Sequence, residues 1–519
     1  MDFKKFVLTK PEYWILFVLL IVLVVFSILS QGTWGEDDVG HYMFAKMSWN
    51  HPRLFLDLWA RPGYTILASS FAQFGLLGVE LMNAVLCVLT SYMAFLVVKK
   101  LKFKRPYLVI ILLGLQPLFF FVSLSALTEI LGAFLLTLSL WLYLKGKFTW
   151  TVVSLLALCS VRIEAILFYI LFAIFMVVKK RRSIIPIIIL PAIIYVVGIF
   201  VFGNLNWLFV YPNSFDTSVA LHFRSPVTIF IYLAGMVFAM GVVVIPFFTI
   251  GFFRNFKKLL LINISILIMI FFLSIIYWLN SSVNGTLKYV ALVSPLIAIV
   301  SLGGFNNFFD KRFKRTDFLF LALFIIEFIL LYKMISLKLF FHLWHEVAFS
   351  VIIFGIIILI LIVFKLVLAK NKKLKNSLIL LFIILIIIQL FASGKFPINT
   401  TSEQRLLIEA HDWLEENNLS QRDWYYAHTY VPYIAHHDPW DVNYDSFVLG
   451  GDYFFKREKN FTSGSIVIWE PRMFYFEAKI HKRFFEDNEY EMIKSFEPKI
   501  YESVYDGTKL EVLIFERIS

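Results

Sequence analysis

Long apolar runs alternate with short polar segments from about residue 13 to residue 393. A run of about 20 predominantly apolar residues is long enough to cross a bilayer as a helix. The pattern predicts 13 spans, which are 13–30, 78–98, 107–123, 127–144, 149–161, 164–178, 184–202, 226–250, 259–279, 287–304, 317–336, 347–369 and 376–393. We therefore predict an all-α polytopic membrane bundle over residues 1–393, with an outer loop at 31–62.

The fifth and sixth spans are short and flank Arg162-Ile163-Glu164, so this stretch could instead form one long helix. Basic residues distinguish the two cases. With a cytoplasmic N-terminus and 13 spans, the cytoplasmic loops hold 25 Lys and Arg, and the outer loops before residue 394 hold eight. Merging the two spans would divide the basic clusters between both faces, whereas cytoplasmic loops are normally the basic ones. The charge pattern therefore favours 13 spans.

The last 126 residues, 394–519, have a different pattern. Residues 402–417 place apolar side chains on one side of a predicted amphipathic helix. Asp506-Gly507, between two β-like segments, is a two-residue hairpin signal. Three segments are predicted strands: 425–427, 466–469 and 510–515. We predict a small α/β domain, which the odd number of spans places outside the cytoplasm.

Composition agrees with a membrane protein, because 60% of the residues are hydrophobic and the mean hydropathy is +0.79. The net charge of +12 could suggest a nucleic-acid partner. Its distribution argues otherwise: residues 1–393 carry 34 Lys or Arg against 14 Asp or Glu, and residues 394–519 carry 14 against 22. The excess lies in the membrane region, where orientation explains it, so we expect a lipid bilayer and no nucleic acid as partner.

Three consecutive acids, Glu36-Asp37-Asp38, follow the first span. Like charges repel, and a neighbouring low dielectric disfavours ionisation, so such a cluster is costly beside a membrane. Clusters of this kind bind a cation, accept a proton or hold a polar substrate. The alternative is a solvated loop that ends a helix.

Several other polar groups fall in different outer loops of this topology: Glu129, Arg162, Glu164, His222, Arg224, Lys288 and Tyr289. Sites are often built at the mouth of a helix bundle, so we expect these groups to converge there with the acids. Each also has an ordinary interpretation. Glu129 could start a helix, Arg162 could simply pair with Glu164, and Lys288 could anchor the membrane interface.

An acidic group just after the first span resembles the GT-C superfamily of polyprenyl-phosphate-sugar-dependent glycosyltransferases, which includes the protein O-mannosyltransferases and the aminoarabinose transferases of lipid A. Residues 10–305 carry four further similar motifs: Arg61-Pro62-Gly63-Tyr64, Leu127-Thr128-Glu129, Arg162-Ile163-Glu164 and Lys288-Tyr289-Val290-Ala291-Leu292-Val293-Ser294-Pro295. The chain lacks Trp-Trp-Asp in its C-terminal domain and lacks His-Pro-Asp-Glu. It therefore departs from the oligosaccharyltransferase branch and from the typical mannosyltransferase branch.

The resemblance implies an inverting enzyme that moves a sugar from a polyprenyl-phosphate carrier to an extracytoplasmic glycan, lipid or protein. It implies Asp37, Asp38 and Glu36 as catalytic residues, with Asp37 preferred as the base. Together with the outer-loop placement, it makes the following residues candidates for substrate binding: His41, Arg61, Glu129, Arg162, Glu164, His222, Arg224, Lys288 and Tyr289. A divalent metal, Mg or Mn, is an open alternative, with Asp37 and Asp38 as its candidate ligands.

The required chemistry can be stated independently of any family. The acceptor hydroxyl must lose a proton as it attacks the anomeric carbon, and a carboxylate within hydrogen-bond reach can take that proton. The departing lipid phosphate develops negative charge, which needs a cation or a metal. Arg162, Arg224 and Lys288 are candidates. A site outside the cytoplasm also excludes soluble cytoplasmic nucleotide sugars as direct donors.

Three alternatives stay open: an oligosaccharide ligase or polymerase, a lipid-linked glycan flippase or transporter, and a structural membrane subunit. Transporters place ionisable groups near the midplane on broken helices, often in repeated halves. This sequence has no internal repeat, and Glu327 is its clear midplane charge. We expect a bacterial plasma membrane, with the endoplasmic reticulum as the alternative.

Overall fold

Helices make up most of the described chain. The computed structural model describes residues 10–207, 229–279, 287–310, 345–368, 372–393, 396–440, 462–477, 480–486, 488–502 and 508–518, with the single residues 326, 329 and 504. Its α-helices are α1 (Pro11–Leu29), α2 (Glu36–Met47), α3 (Pro62–Ala72), α4 (Leu76–Lys100), α5 (Leu108–Gly114), α6 (Pro117–Val122), α7 (Glu129–Leu144), α8 (Phe148–Val161), α9 (Ile166–Lys179), α10 (Ile184–Phe202), α11 (Ile231–Met240), α12 (Ile245–Arg254), α13 (Leu260–Trp278), α14 (Ser294–Asp310), α15 (His345–Leu368), α16 (Lys372–Ser393), α17 (Ser402–Glu416), α18 (Tyr430–Ile434) and α19 (Arg483–Glu486).

Shorter helical turns and four strands complete the described elements. The 3-10 turns are Pro52–Leu56, Ile163–Ala165, Arg181–Ser183 and Leu287–Val293, and Pro471–Glu477 is a π-helix. The strands are β1 (Trp424–Tyr426), β2 (Ile466–Trp469), β3 (Tyr490–Phe496) and β4 (Val512–Arg517). The chain divides into unit 1 (Met1–Ile28, Leu77–Val210 and Thr217–Phe396) and unit 2 (Leu29–Leu76, Tyr211–Asp216 and Pro397–Ser519).

Five helices of the described chain are long and apolar enough to cross a membrane: Pro11–Leu29, Leu76–Lys100, Arg181–Val201, Leu260–Trp278 and Leu287–Phe309. Helices α11 and α12 make a sixth span if they are counted together, although they are bent by 117°. Gly241 lies at this bend with φ 81°, a conformation that glycine adopts at little cost. The chain is thus a mostly helical, multi-pass membrane protein, and the number of 13 spans stays a prediction.

The predicted break between the fifth and sixth spans is present. Helix α8 ends at Val161, Arg162 is extended (φ −142°, ψ 114°), and a 3-10 turn leads into α9. The alternative of one continuous helix is therefore wrong. The predicted span at 107–123 is also interrupted, because α5 and α6 are separate helices and Pro117 begins α6.

Within unit 1, the backbones of helices α12 and α14 approach each other closely at two glycines. A Cβ atom on Gly251 would lie 2.0 Å from the carbonyl oxygen of Val300, and one on Gly304 would lie 1.7 Å from that of Phe247. Small residues permit this backbone approach between membrane helices. The crossing fixes α14 and therefore the Leu287–Val293 turn that precedes it, which carries Lys288 and Tyr289.

Unit 2 contains a four-stranded sheet of order β1-β2-β4-β3. The β1–β2 pair is parallel, whereas β4 pairs antiparallel with both β2 and β3. The small predicted sheet is thus present, and its predicted strands correspond to β1, β2 and β4. Strand β3 was missed, and the predicted turn Asp506-Gly507 lies outside the described residues. Nine buried residues form the core beside this sheet: Ala427, Val467, Trp469, Phe474, Ile480, Phe485, Tyr490, Leu513 and Phe515.

Helix α17 confirms the predicted amphipathic helix and begins with a capping box. The Thr401 hydroxyl accepts a hydrogen bond from the Gln404 backbone at 3.2 Å, and the Gln404 side chain accepts one from the Thr401 backbone at 3.0 Å. Its buried side contains Leu406, Leu407, Ala410 and Leu414.

The loop at 31–62 packs with residues from 397 onward in unit 2. The backbone N–H of Gln31 and that of Gly32 both donate to the Ile398 carbonyl at 2.9 Å. A Cβ on Gly32 would lie 2.3 Å from the carbonyl oxygen of Asn399, so only glycine fits there. The apolar pattern groups this loop with residues 1–393, and a functional division at 393/394 stays a prediction.

Candidate functional site

The three consecutive acids occupy the first turn of α2. Negative charge is favourable there, because the first backbone N–H groups of a helix and its dipole both present positive charge. The acids are therefore part of a helix start and not of an irregular loop. The three side chains have different contacts, and these contacts indicate different roles for them.

Asp38 is fully buried, and its Oδ2 accepts a hydrogen bond from the Trp34 backbone at 2.8 Å. Glu36 places Oε1 2.6 Å from Nε of Arg472. Asp37 lies between them and is half-buried. One turn further along α2, the buried His41 ring stacks on Trp59 with 5.1 Å between ring centres. Glu36 and Asp38 thus have defined local roles in holding the start of α2.

Glu36 belongs to a group of charged side chains in unit 2 that we call the Arg472 cluster: Glu36, Glu403, His428, Glu470 and Arg472. Arg472 Nη1 lies 2.9 Å from Glu403 Oε2, so one guanidinium pairs with two carboxylates. His428 Nε2 lies 3.6 Å from Glu36 Oε1 and 3.8 Å from Glu403 Oε1. This cluster was not predicted, because its members come from four segments of the sequence with no shared motif.

Glu470 and His428 are both buried, and burial moves their pKa values in opposite ways. Burial, together with the charges of Glu403 and Glu36, raises the pKa of Glu470 to about 8, while backbone N–H groups of Met473 and Arg472 act against this rise. Burial lowers the pKa of His428 from 6.5 to about 4, Arg472 adds to the decrease, and Glu403 opposes it. His428 is therefore neutral at physiological pH.

The low pKa of His428 predicts a pH-dependent stability. The unfolded chain protonates this imidazole below pH 6.5, but the folded chain does so only near pH 4. Stability from this group is therefore complete above pH 6.5 and falls as the pH decreases toward 4, by about 3 kcal/mol at most. We expect the thermal midpoint of purified His428→Gln to change less with pH, between pH 4.5 and 7.5, than that of wild type. The exposed His481→Gln should keep the wild-type slope, and an equal slope in His428→Gln would contradict the assignment.

Among the described residues, one set of three side chains brings metal-ligating atoms together: Glu36, Glu403 and His428, within 4.8 Å of one another. The set fits a metal poorly. His428 Nδ1 accepts the Tyr430 backbone N–H at 3.0 Å, which leaves the proton of the neutral ring on Nε2, the atom that faces the carboxylates. The Arg472 guanidinium also already contacts the Glu36 oxygen that would bind the ion.

Unit 1 contains a second group, the Arg162 cluster of Arg162, Glu129, Glu164 and Thr128. Arg162 Nη1 donates to Glu129 Oε1 at 2.9 Å and to Thr128 Oγ1 at 3.1 Å, and Nε donates to Glu164 Oε1 at 2.7 Å. Arg162 is 4% exposed and Glu129 is 1% exposed. The predicted pairing of Arg162 with Glu164 is therefore present, and Glu129 joins it. The second oxygen of Glu129, Oε2, is buried without a hydrogen bond to any described residue.

Tyr289 and Lys288 adjoin the Arg162 cluster. The Arg162 guanidinium carbon lies 4.7 Å from the centre of the Tyr289 ring, a cation–π contact. Lys288 Nζ lies 5.6 Å from the centre of the same ring, and Lys288 is buried. Tyr289 thus lies close to both the Arg162 guanidinium and the Lys288 ammonium. Arg162 and Lys288 are the described cations of unit 1 that are candidates for binding an anion.

The remaining predicted residues are less informative. Arg61 precedes α3 with φ 68°, and its Nη1 donates to the Leu58 carbonyl at 3.3 Å, so it shapes the turn into that helix. His222 and Arg224 lie outside the described residues. The structure brings together Glu129, Arg162, Glu164, Lys288 and Tyr289 within unit 1, and Glu36, Asp37, Asp38 and His41 within unit 2. A single site that contains all of them stays a prediction.

No family model matches this sequence, and no curated protein matches it. Solved structures do match: ArnT from Cupriavidus metallidurans in the apo state has a TM-score of 0.57 and 13% identity, over 97% of this chain and 98% of that chain. The chain has the fold of ArnT. The same protein bound to undecaprenyl phosphate matches over the same shares, with a TM-score of 0.57 and 12% identity.

ArnT is a lipid A aminoarabinose transferase of the GT-C type, so the resemblance in the sequence is confirmed at the level of fold. The match extends over 97% of the chain and thus includes the segment after residue 305, where the sequence motifs end. At this identity the likeness establishes architecture alone.

Proposed function

We propose that this chain is a membrane glycosyltransferase that moves a sugar from a polyprenyl-phosphate-linked donor to an acceptor outside the cytoplasm, a glycan, a lipid or a protein. The observation that carries this proposal is the first turn of α2, which presents three carboxylates directly after the first apolar helix in a chain with the ArnT fold. The undecaprenyl phosphate bound by ArnT supports the class of donor. The N-terminus is cytoplasmic and the C-terminal segment extracytoplasmic in this proposal, in a bacterial plasma membrane.

Asp37 is the general base in this proposal. Glu36 is paired with Arg472, and the buried Asp38 accepts a hydrogen bond from the Trp34 backbone, so both side chains stabilise the start of α2. Asp37, between them, takes the proton of the acceptor hydroxyl as that oxygen attacks the anomeric carbon. Attack on the face opposite the lipid phosphate inverts the anomeric centre. A divalent metal, Mg or Mn, at Asp37 and Asp38 stays a prediction, and no step here depends on it.

Lys288, which is buried beside the Tyr289 ring, binds the phosphate of the donor in this proposal. An ammonium group stabilises the charge that develops on the leaving phosphate. The Glu129 oxygen Oε2, buried without a hydrogen bond to a described residue, would accept a hydrogen bond from a hydroxyl of the donor sugar. A buried hydrogen-bond acceptor of this kind discriminates between donor sugars, because a sugar that lacks the matching hydroxyl leaves the buried oxygen without a hydrogen bond.

Lys288→Gln is expected to weaken binding of polyprenyl phosphate about 10- to 100-fold, the usual cost of a lost hydrogen bond to a charged group. Titration of purified protein with a fluorescent polyprenyl phosphate measures this affinity without any turnover. Lys147→Gln, an exposed change in the same unit, is the control and should bind as wild type does. Equal affinity of Lys288→Gln and wild type would exclude Lys288 as the phosphate ligand.

The function itself is tested in proteoliposomes that contain purified protein and radiolabelled polyprenyl-phosphate sugars. Lipid, glycan and peptide acceptors are supplied on the outer side of the vesicles. Label that moves to an acceptor supports the transferase. Label that crosses the bilayer in an unchanged chemical form would instead identify a flippase and contradict the proposal.

A further inference from the structure

We propose that Arg472 is a positioning residue, whose guanidinium takes the place of a divalent metal between Glu36 and Glu403 and thereby fixes the first turn of α2 and Asp37. The role assigned to Asp37 rests on the proposed function. The placement of the helix start by Arg472 does not, because it follows from contacts within unit 2 alone.

The guanidinium uses two different nitrogens for two different carboxylates. Nε lies 2.6 Å from Glu36 Oε1, and Nη1 lies 2.9 Å from Glu403 Oε2. The Nη1 contact with Glu403 is a charge-assisted hydrogen bond, which is among the stronger kinds, and Nε forms a close ion pair with Glu36. A lysine ammonium would supply the charge but not this fork. The bridge therefore links α2, which carries Glu36, to α17, which carries Glu403.

Arg472 is itself held on a rigid element. It lies three residues after β2, whose last residue, Trp469, is buried in the unit 2 core and donates from Nε1 to the Ile480 carbonyl at 3.0 Å. The Glu470 carboxylate accepts the backbone N–H of Arg472 at 2.6 Å and that of Met473 at 2.9 Å. The guanidinium is thus presented from a fixed turn at the end of a buried strand, which suits a group that must locate another one.

The start of α2 has further attachments to the same part of unit 2. Thr429 Oγ1 donates to the Glu36 carbonyl at 3.2 Å, and Gln404 Nε2 donates to Thr33 Oγ1 at 2.6 Å. The Tyr42 and Tyr433 rings meet edge to face with 5.7 Å between centres. Since Glu36 is held through both its side chain and its backbone, the neighbouring Asp37 backbone is held as well.

The chemistry of the cluster favours a guanidinium over a metal. A metal ligand needs a lone pair on His428 Nε2, but the Tyr430 N–H occupies Nδ1 and leaves the proton on Nε2. An ion bound at Glu36 Oε1 would also lie beside the positive charge of Arg472, which contacts that same oxygen. The positive charge that holds the two carboxylates together is therefore part of the chain.

The test compares Arg472→Gln and Arg472→Lys with wild type in the full-length protein. We expect Arg472→Gln to lower kcat about 10- to 100-fold, because a base misplaced by about 1 Å costs up to about 100-fold, while the KM for the donor changes little. Arg472→Lys should recover only part of the loss. Millimolar methylguanidine should partly restore Arg472→Ala, which a general loss of folding would not allow. An unchanged kcat in Arg472→Gln would overturn the proposal.

A matched control lies in the same unit. Arg422 pairs with Glu516 and donates to the Gly464 carbonyl at 3.3 Å, so Arg422→Gln removes a comparable arginine–carboxylate pair. Its kcat should match that of wild type. Hydrogen exchange of residues 36–47 supplies a readout that needs no turnover, and it should rise about tenfold or more in Arg472→Gln but not in Arg422→Gln. Equal exchange in the two variants would overturn the proposal even if no sugar donor is turned over.

Metal content decides whether a metal ion or Arg472 joins the carboxylates of Glu36 and Glu403. Wild type dialysed against Mn²⁺ or Zn²⁺ should hold no ion whose binding depends on the Arg472 cluster, so Glu403→Gln and wild type should retain the same amount. One tightly held ion per chain that disappears in Glu403→Gln would show that a metal, and not Arg472, joins the carboxylates. Absence of sugar transfer by wild type would count against the proposed function and leave the exchange and metal results to decide this inference.

Discussion

Asp37→Asn is expected to lower kcat for sugar transfer by about 10²- to 10⁴-fold, the usual contribution of a positioned general base. Asparagine has nearly the same shape as aspartate, but its amide cannot take a proton from the acceptor hydroxyl. Helix α2 should still form, because Glu36 and Asp38 remain in its first turn. Single-turnover transfer from a labelled donor measures the loss, and affinity for polyprenyl phosphate should stay within about twofold of wild type.

The neighbouring acids serve as matched controls for this prediction. Asp38→Asn keeps an oxygen that can accept the Trp34 N–H, so it should retain most of the activity. Glu36→Gln loses the charge that pairs with Arg472, and it should behave like the Arg472 variants, with a smaller loss than Asp37→Asn. If Asp38→Asn were inactive and Asp37→Asn active, the base would be Asp38.

The apolar pattern predicted most of what the structure shows in unit 1, because burial in lipid requires continuous apolar helices. The break at Arg162 was predictable for the same reason: a charged residue between two short apolar runs is costly inside one helix. The bend between α11 and α12 was not predicted. Residues 226–250 are predominantly apolar, and Gly241 and Pro246 give too weak a signal to separate a bent pair from one span.

The candidate site was only partly predictable. The acids at 36–38 were evident as a run, and Glu129, Arg162 and Glu164 as charges beside apolar segments. Their individual partners were not evident, since Arg472 is 436 positions from Glu36 in the sequence and neither lies in a motif with the other. Strand β3 was missed because its face pattern is irregular, with Met492 exposed and a register shift between Met492 and Lys494.

The two charged clusters use the same device in different environments. Each places one arginine between two carboxylates, but Arg162 is 4% exposed and the Arg472 side chain is 30% exposed. Water can partly replace a lost partner around Arg472, whereas it cannot do so around Arg162. Loss of Arg472 should therefore affect the position of α2 more than the folding of the chain. Loss of Arg162 should affect folding first.

Arg162→Met is accordingly expected to destabilise the protein by about 3–5 kcal/mol, because it leaves the buried Glu129 and Glu164 without their shared cation. The purified variant should show a lower thermal midpoint and a smaller monodisperse fraction in detergent. Lys147→Met, at an exposed position of the same unit, should change neither. A wild-type midpoint for Arg162→Met would mean that another group neutralises the two carboxylates.

The triple variant Arg162→Met/Glu129→Gln/Glu164→Gln separates the structural role of the cluster from a catalytic one. Removing all the charges leaves no unpaired ion, so most of the lost stability should return. Glutamine at 129 also keeps an oxygen that can accept a hydrogen bond. If the triple variant still transfers sugar, the charges of the Arg162 cluster are not needed for turnover and serve to hold α7 against the α8–α9 break. If its fold recovers but its donor KM rises steeply, the cluster contacts the substrate, in line with Glu129 Oε2, which has no hydrogen bond to a described residue.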